Sequence, residues 1–287
     1  MRKVGIFYAY WARDWDVDFL PFIEKVGYLG FEQLELHAAI VAQMSSARRK
    51  RLKAAAEEHG LALSYGIGLT ADHDPSSLDE SVRKDGVAFM KKAIAAVSGM
   101  GGGMIGGTVH SYWPARPPKD LKEKAAVRAQ SLKSMRELAP VAMDSGVVLN
   151  IEVINRFEQF LFNTCGEALP FVREIDSPAV GILLDTFHMN IEEDSIGGAI
   201  RTAGKHLNAL HIGETNRKLP GMGRMPWQEI RSALDDINYD GPLVMEPFIV
   251  PGGRIGRDIA LWRDLVPDPD MDALAARSAE FVKRTLR

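Results

Sequence analysis

Cysteine, excess basic charge and long apolar runs are missing or scarce in this sequence of 287 residues. Cys165 is the only cysteine, which excludes a disulfide scaffold. Lys and Arg number 35 against 38 Asp and Glu, a net charge of −3, so we expect neither a nucleic-acid partner nor an anionic membrane partner. A membrane-spanning helix needs about 18 consecutive apolar residues, and no stretch of this sequence is that long. Residues 1–10 do not contain the long hydrophobic region of a signal peptide. We therefore expect a cytoplasmic protein.

Linkers are also missing, because no stretch rich in Pro, Ser or Gly divides the chain. The apolar content of 46% allows a large core, which excludes a disordered protein. We therefore predict a single domain over residues 1–287. The segment Gly101–Gly106 matches a dinucleotide-binding spacing, but it precedes a predicted strand and opens no helix, so a nicotinamide or flavin cofactor is not expected.

Short β-branched or aromatic runs alternate eight times with longer segments of helical period, at an average of about 36 residues per unit. Repeated units of this kind form a parallel sheet with right-handed crossovers. We predict an α/β fold, a closed (β/α)8 TIM barrel with an extra C-terminal helix, and keep an open doubly wound sheet as the alternative. The predicted strands are Val4–Ala9, Gln33–His37, Ala62–Gly66, Met104–Thr108, Val147–Val153, Val180–Asp185, Ala209–Gly213 and Leu243–Phe248.

Amphipathic segments between and after these strands predict the helices. Two further stretches, 114–118 and 214–226, follow predicted strands and are expected to form loops at the C-terminal mouth of the barrel. The predicted helices are Asp16–Leu29, Ser45–His59, Glu80–Met100, Asp120–Ser145, Cys165–Ile175, Ser195–Ala203, Pro226–Ile237, Asp258–Asp264 and Met271–Leu286.

The last four predicted strands end in polar residues, which in such a barrel face the active site. These residues are Glu152, Asp185, His211 and Glu246, and each interrupts an apolar run. One of them alone would be interpreted as a helix cap or an ion pair. Three carboxylates, with no Lys or Arg in the same strand ends, would leave uncompensated negative charge that a divalent cation resolves. Three oxygens and one imidazole suit Mn²⁺, Mg²⁺ or Co²⁺.

Further polar side chains follow the same strands. Arg156 and Glu158 follow the fifth strand, His188 follows the sixth and Arg217 the seventh, where they could contact substrate hydroxyls or a carbonyl. For Glu158 and Arg217 a solvated loop charge fits equally well. Glu35 lies in the second predicted strand and could also face the mouth, but we interpret it as the partner of a nearby basic group.

Aromatic residues cluster at the predicted strand ends. Core or rim packing is the simpler interpretation, and a wall against the apolar face of a sugar is the functional one. The cluster consists of Phe7, Tyr8, Tyr10, Tyr112, Trp113 and Phe248. The remaining histidines are assigned to packing or to the surface, namely His37, His59, His73, His110 and His206.

The polar strand ends lie within the longer segments NIEVINRFEQF, ILLDTFHMNIEE, LHIGETNR and VMEPF. Two further segments are FYAYW, at the end of the first predicted strand, and SYWP, just after the fourth. Together these segments resemble the ketose 3-epimerases, the D-tagatose and D-psicose (D-allulose) 3-epimerase group of the xylose isomerase-like TIM barrels. The resemblance covers about residues 3–286. It implies an isomerase that inverts C3 of a free ketose, of the D-tagatose/D-sorbose or D-fructose/D-psicose type, and a homodimer or homotetramer.

The resemblance also implies roles for individual residues. A metal, Mn²⁺ before Co²⁺ or Mg²⁺, would be held by Glu152, Asp185, His211 and Glu246, with Glu152 and Glu246 also forming the acid/base pair. Gly66 stands where some members carry a larger residue, so the preferred ketose does not follow from the family. The implied substrate contacts, near the reacting carbons, are Glu158, His188 and Arg217. We further expect Phe7 in the wall, and Gly66, Thr108, Trp113 and Phe248 towards C4–C6.

Inversion at C3 requires a proton to leave one face of the carbon and another to arrive at the opposite face. A cation that coordinates the C2 oxygen and a neighbouring hydroxyl stabilises the enediolate, and positioned carboxylates exchange the proton. Glu152 and Glu246 lie on strands five and eight, three apart in a ring of eight, so we predict that they act from opposite faces.

Three other functions stay open at this stage. The first is an aldose–ketose or hydroxypyruvate-type isomerase on the same barrel, the second a multi-metal endonuclease, and the third a sugar-binding barrel without catalysis. An endonuclease needs more strand-end histidines and a basic face, against which the net charge of −3 argues.

Overall fold

Eight parallel strands form a closed barrel in the computed structural model, which describes all residues 1–287. They pair in chain order, and the last strand pairs with the first through the register Gly5 to Val244. The (β/α)8 barrel is therefore confirmed and the open sheet was the wrong alternative. The strands are β1 (Val4–Phe7), β2 (Gln33–His37), β3 (Ala62–Ile67), β4 (Gly103–Gly107), β5 (Val147–Glu152), β6 (Val180–Asp185), β7 (Leu207–Ile212) and β8 (Leu243–Met245).

Eleven helices surround the barrel, and none of them is long and apolar enough to cross a bilayer. The last one carries buried Val282 and Leu286 and is the predicted extra C-terminal helix. The helices are α1 (Leu20–Tyr28), α2 (Ala38–Gln43), α3 (Ser46–Glu58), α4 (Glu80–Gly99), α5 (Leu121–Asp144), α6 (Cys165–Ile175), α7 (Thr186–Glu192), α8 (Ile196–Ala203), α9 (Trp227–Asp236), α10 (Gly253–Asp258) and α11 (Met271–Leu286).

The predicted helix Asp258–Asp264 was wrong. The structure places α10 five residues earlier, where its two glycines, Gly253 and Gly256, hide the helical pattern, and Ala260 with φ of 56° is left-handed just beyond it. Two short helices, α2 and α7, were not predicted because six or seven residues carry too little periodicity to be recognised. The stretches 108–120 and 213–226 have neither helix nor strand, as expected of loops at the mouth.

Capping side chains define several helix starts. Ser45 accepts a hydrogen bond from the backbone of α3, and Gly60, at φ of 64°, follows the end of that helix. Thr164 and Glu167 form a reciprocal capping box at α6. At α7 the capping residue is Asp185, so one of the predicted metal ligands also fixes the direction of the helix that follows it.

Candidate active site

A cavity of about 520 Å³ opens at the C-terminal ends of the strands. Glu152, His211 and Glu246 line it, whereas Asp185 lies behind them and is only 1% exposed. β8 ends at Met245, so Glu246 is the first residue after that strand. Eight of the residues predicted to contact substrate also line the cavity, namely Phe7, Gly66, Thr108, Trp113, Glu158, His188, Arg217 and Phe248.

The four predicted metal ligands are brought together. One ligand atom from each of Glu152, Asp185, His211 and Glu246 lies within 4.8 Å of all the others. Ligands on opposite sides of one divalent cation are about 4–5 Å apart, twice the usual bond length. The spacing and the donor types therefore fit a single cation.

His211 gives a second, independent indication of a cation site. Its buried Nδ1 lies 3.8 Å from Oε1 of Glu152 and 3.7 Å from Oε1 of Glu246, yet it makes no hydrogen bond. Buried nitrogens without a partner are rare because they lose hydration without compensation. A cation bound between these side chains would satisfy both the nitrogen and the carboxylates.

Burial and charge shift the pKa values in this group. Burial raises the pKa of Glu152 to about 7, although His211 lowers it, and burial likewise raises the pKa of Glu246 well above its usual range. Burial opposes the charge on His211, but Glu35 and Glu246 outweigh it and raise the pKa of that imidazole well above 6.5. Without a cation, therefore, the group retains protons near neutral pH.

Arg217 corrects the expectation that no basic group balances these carboxylates. It comes from the loop 213–226, and its Nη1 donates a hydrogen bond of 2.8 Å to Oε2 of Glu246 and lies 3.8 Å from Oδ2 of Asp185. Its guanidinium lies 4.1 Å from the ring centroid of Phe187 and 5.2 Å from that of Phe248. Once the three carboxylates have lost their protons, one guanidinium does not balance them, and this deprotonated form is net negative.

Glu158 is held at the cavity wall through both of its oxygens. Trp113 Nε1 donates to Oε2 at 2.9 Å, and Asn155 Nδ2 donates to Oε1 at 2.9 Å. Burial opposes ionisation of Glu158, but His188, Arg217 and these hydrogen bonds outweigh it and lower its pKa. The cavity therefore presents an ionised, fixed carboxylate that can accept hydrogen bonds from a hydroxyl-rich ligand.

Asn155 also positions His188, a contact that the sequence did not suggest. Its Nδ2 lies 2.7 Å from Nδ1 of His188, while its Oδ1 accepts from the backbone of Phe157. Burial lowers the pKa of His188, so the imidazole is neutral, and its Nδ1 faces the amide of Asn155. Its Nε2 lies 3.4 Å from Nη2 of Arg217 and 3.9 Å from Oε1 of Glu152, at the edge of the cation cluster.

One predicted contact was wrong, and the aromatic cluster divides between core packing and the cavity wall. Arg156 does not reach the cavity; its side chain is 64% exposed and pairs with Glu192 at 2.6 Å. Tyr8 and Tyr10 are buried behind the wall, so core packing is the correct interpretation for them, and Tyr112 does not line the cavity either. Among the aromatic cluster only Phe7, Trp113 and Phe248 form the wall.

Three cavity residues were missed or assigned elsewhere. His37 and His73, predicted to have packing or surface roles, both line the cavity. Burial lowers the pKa of His37 to about 4, so it is neutral, and its Nδ1 has no hydrogen-bond partner. Trp15 also lines the cavity and donates a hydrogen bond of 2.7 Å to Asp258 from the segment containing α10. Only the folded chain brings these loops together.

Comparisons with known proteins point to the same chemistry. Residues 20–277 match the family model of xylose isomerase-like TIM barrels. The chain is 45% identical over 287 residues to D-psicose 3-epimerases of Ruminiclostridium cellulolyticum and of Agrobacterium fabrum, covering 99% of this chain and 98% and 99% of theirs. A crystal structure of D-psicose 3-epimerase in the presence of D-fructose superimposes with a TM-score of 0.96, at 44% identity and 99% coverage of both chains.

Proposed function

The chain belongs to the ketose 3-epimerases of the xylose isomerase-like TIM barrel family and is an enzyme of the isomerase class, and on that premise we propose that it inverts C3 of free ketoses in a cation-dependent reaction. The observation that carries this proposal is the cluster of Glu152, Asp185, His211 and Glu246 at the mouth of the barrel. Its two glutamates lie at the end of β5 and directly after β8, strands separated by β6 and β7.

These four side chains would hold the cation. Three carboxylates and one imidazole, without a thiolate, favour Mn²⁺, with Co²⁺ and Mg²⁺ as alternatives. When bound, such an ion stabilises the negative charge that develops on substrate oxygens as C3 loses its proton. Asp185 has a second task, because its Oδ1 caps α7 through the backbone of Phe187 at 2.6 Å.

Glu152 and Glu246 carry the proton transfer in this proposal. One carboxylate removes the C3 proton from one face of the ketose, and the other returns a proton to the opposite face of the enediolate. Burial raises the pKa of both groups in the metal-free protein, and a bound cation would oppose that shift and keep both carboxylates ready to accept a proton. Arg217 holds Oε2 of Glu246 and so leaves Oε1 towards the cluster.

The surrounding residues orient the sugar. His188 and Arg217 are placed to contact its C1–C3 end, and Glu158 accepts hydrogen bonds from its hydroxyls. Phe7 and Phe248, with ring centroids 6.3 Å apart, form an apolar wall that excludes water from the reacting carbons. Proximity of this kind supplies much of an enzyme's rate because the reacting groups need not find each other.

The substrate in this proposal is an unphosphorylated ketohexose or ketopentose. Arg217 and Arg254 are the only Lys or Arg residues that line the cavity, and Arg217 is already paired with Glu246. No basic cluster is therefore free to bind a phosphate. D-Psicose and D-fructose are the first candidates because the relatives are named for or crystallised with these sugars. A cytoplasmic homodimer or homotetramer stays a prediction.

A substrate panel tests the proposal. Free ketohexoses and ketopentoses are incubated with the protein and Mn²⁺, and the products are separated by chromatography. We expect C3 epimers, loss of activity after chelation, and recovery with Mn²⁺ or Co²⁺. Aldose products would indicate an aldose–ketose isomerase instead, and full activity in verified metal-free protein would remove the cation from the reaction. A phosphorylated ketose with a much higher kcat/KM would contradict the choice of free sugars.

A further inference from the structure

We propose that Glu35 is a positioning residue of the cation site, which accepts a hydrogen bond from Nε2 of His211 and thereby leaves Nδ1 of that imidazole free to bind the ion. Oε1 of Glu35 lies 3.0 Å from Nε2 of His211, at ion-pair distance, and both buried atoms lack any well-aligned hydrogen bond, so each is available to the other. The inference rests on the proposed function only in taking His211 as a ligand of the cation.

The pair spans the interior of the barrel. Glu35 lies on β2 and His211 on β7, two strands that are not neighbours, since β1 and β8 lie between them. Glu35 is only 4% exposed and does not line the cavity, so it cannot touch a bound sugar. Its effect on the reaction must therefore pass through His211.

A short chain of hydrogen bonds holds the carboxylate in this orientation. Gln33 Nε2 donates to Ser64 Oγ at 2.8 Å, and Ser64 Oγ donates to Oε2 of Glu35 at 2.9 Å. All three side chains are buried, and Glu35 and Ser64 are paired in the register of β2 and β3. Because Oε2 is occupied by Ser64, Oε1 is the oxygen available to the imidazole.

Gly66 leaves room for this carboxylate. A Cβ atom at position 66 would lie 3.2 Å from Oε1 of Glu35 and 3.6 Å from the ring of Phe7, closer to the oxygen than an ordinary van der Waals contact. Gly66 was predicted to contact the far end of the sugar, and it does line the cavity. Its small size has a second consequence, because it lets Glu35 approach His211.

The physical reason lies in the two nitrogens of imidazole. A neutral imidazole has one N–H and one lone pair, and an acceptor at Nε2 places the proton there and the lone pair on Nδ1. A carboxylate in this position also makes the ring a stronger donor to a metal ion, and removing such a partner lowers metal affinity by about 10–100-fold. Nδ1 of His211 is the atom that faces Glu152 and Glu246.

The test compares Glu35→Ala, Glu35→Gln and Ser64→Ala with the unmodified protein, all freed of metal and titrated with Mn²⁺. Asp74→Asn is the matched control, because Asp74 is 6% exposed, accepts hydrogen bonds from Ser76 and contacts none of the four ligands. The second readout is the His211 tautomer in the Mg²⁺-loaded protein, from long-range ¹H–¹⁵N NMR spectra. Circular dichroism shows which variants are folded.

We expect Glu35→Ala to weaken Mn²⁺ binding by about 10–100-fold, Glu35→Gln by less because its amide oxygen can still accept, and Asp74→Asn not at all. If Glu35→Ala does not fold, Glu35→Gln and Ser64→Ala still decide the matter by affinity and tautomer. Folded Glu35 variants with unchanged affinity and an unchanged tautomer would overturn the inference. Failure of the unmodified protein to bind Mn²⁺ would overturn the cation site itself, whereas Mn²⁺ binding without C3 epimerisation would overturn only the proposed reaction.

Discussion

The two halves of the barrel mouth differ in the kind of side chain that each presents. Strands β5–β8 supply the three carboxylates and the imidazole of the cation cluster, and the loop after β7 adds Arg217. Strands β1–β4 direct no carboxylate into the cavity and contribute Phe7, Gly66 and, directly after β4, Thr108. Glu35, the only acidic residue within these four strands, lies behind the wall and faces His211, and Asp16, from the loop after β1, is the one carboxylate of this side that lines the cavity.

We therefore expect the two halves to have different roles: the residues of β5–β8, the charged half, carry out the reaction, and those of β1–β4, the apolar half, shape the pocket around the sugar. In the charged half each group depends on its neighbours, because a buried charge without its partner is strongly unfavourable. In the apolar half the contacts are dispersive and individually weak. Substitutions in the charged half should therefore remove the reaction, and substitutions in the other half should change which sugar is preferred.

The largest effect is expected for Glu152→Gln and Glu246→Gln. Glutamine keeps the shape but cannot carry the proton, so kcat should fall by about 10²–10⁴-fold for each variant. Because both residues are also predicted ligands, metal content must be measured by elemental analysis alongside the rate. Glu192→Gln is the control, since Glu192 pairs with Arg156 away from the cavity and should keep its activity. A metal-replete Glu246→Gln protein with a near-normal rate would contradict the two-carboxylate account.

Cation binding should depend on pH in the direction set by the same groups. The pKa of Glu152 is about 7 and that of His211 is raised well above 6.5, so both retain protons in the metal-free protein at neutral pH. The ion needs the deprotonated forms, so its affinity should rise with pH and its binding should release protons. Calorimetric titration with Mn²⁺ at pH 7 in buffers of different ionisation enthalpy measures the release. Heats independent of the buffer would show that no proton leaves.

A smaller effect is expected at Arg217. Arg217→Lys keeps the charge but loses the planar guanidinium that donates to Glu246 and stacks on Phe187. We therefore expect kcat/KM to fall by about 10²-fold, with a smaller loss of Mn²⁺ affinity. Arg156→Lys, an exposed arginine at the rim, is the matched control. Similar losses in both variants would mean that Arg217 has no special place at the site.

The smallest effects are expected in the apolar half. His37→Ala should shift the relative kcat/KM of ketoses that differ at C4 or C5 by about 1–3 kcal/mol, because one pocket contact discriminates only weakly. Mn²⁺ affinity should stay unchanged, because His37 does not belong to the cation cluster. Competition between pairs of sugars measures the shift. Loss of all activity in folded His37→Ala would erase the distinction between the two halves.

The sequence predicts the barrel and the charged half of its mouth well, for a physical reason. A carboxylate at the end of an apolar strand is unfavourable unless it has a function or a partner. In the sequence it stands out as a charged residue in an apolar run, as at Glu152 and Asp185. The positions of Asn155 and Trp15, and the identity of His211 as the basic partner expected for Glu35, could not be predicted, because each depends on which loops or opposite strands meet across the barrel. Arg156 and Arg217 each follow a strand in the sequence, but in the fold only Arg217 enters the cavity, whereas Arg156 is exposed and pairs with Glu192.

Isotope exchange tests the central claim, that Glu152 and Glu246 act on opposite faces of C3. The enzyme is allowed to turn over D-fructose or D-psicose in D₂O, and the positions of deuterium are determined by NMR. The account predicts deuterium at C3 of the product and at no other carbon, because the carboxyl that delivers the proton exchanges with solvent between turnovers. Deuterium at C1 would contradict it and would indicate a one-base transfer between C1 and C2.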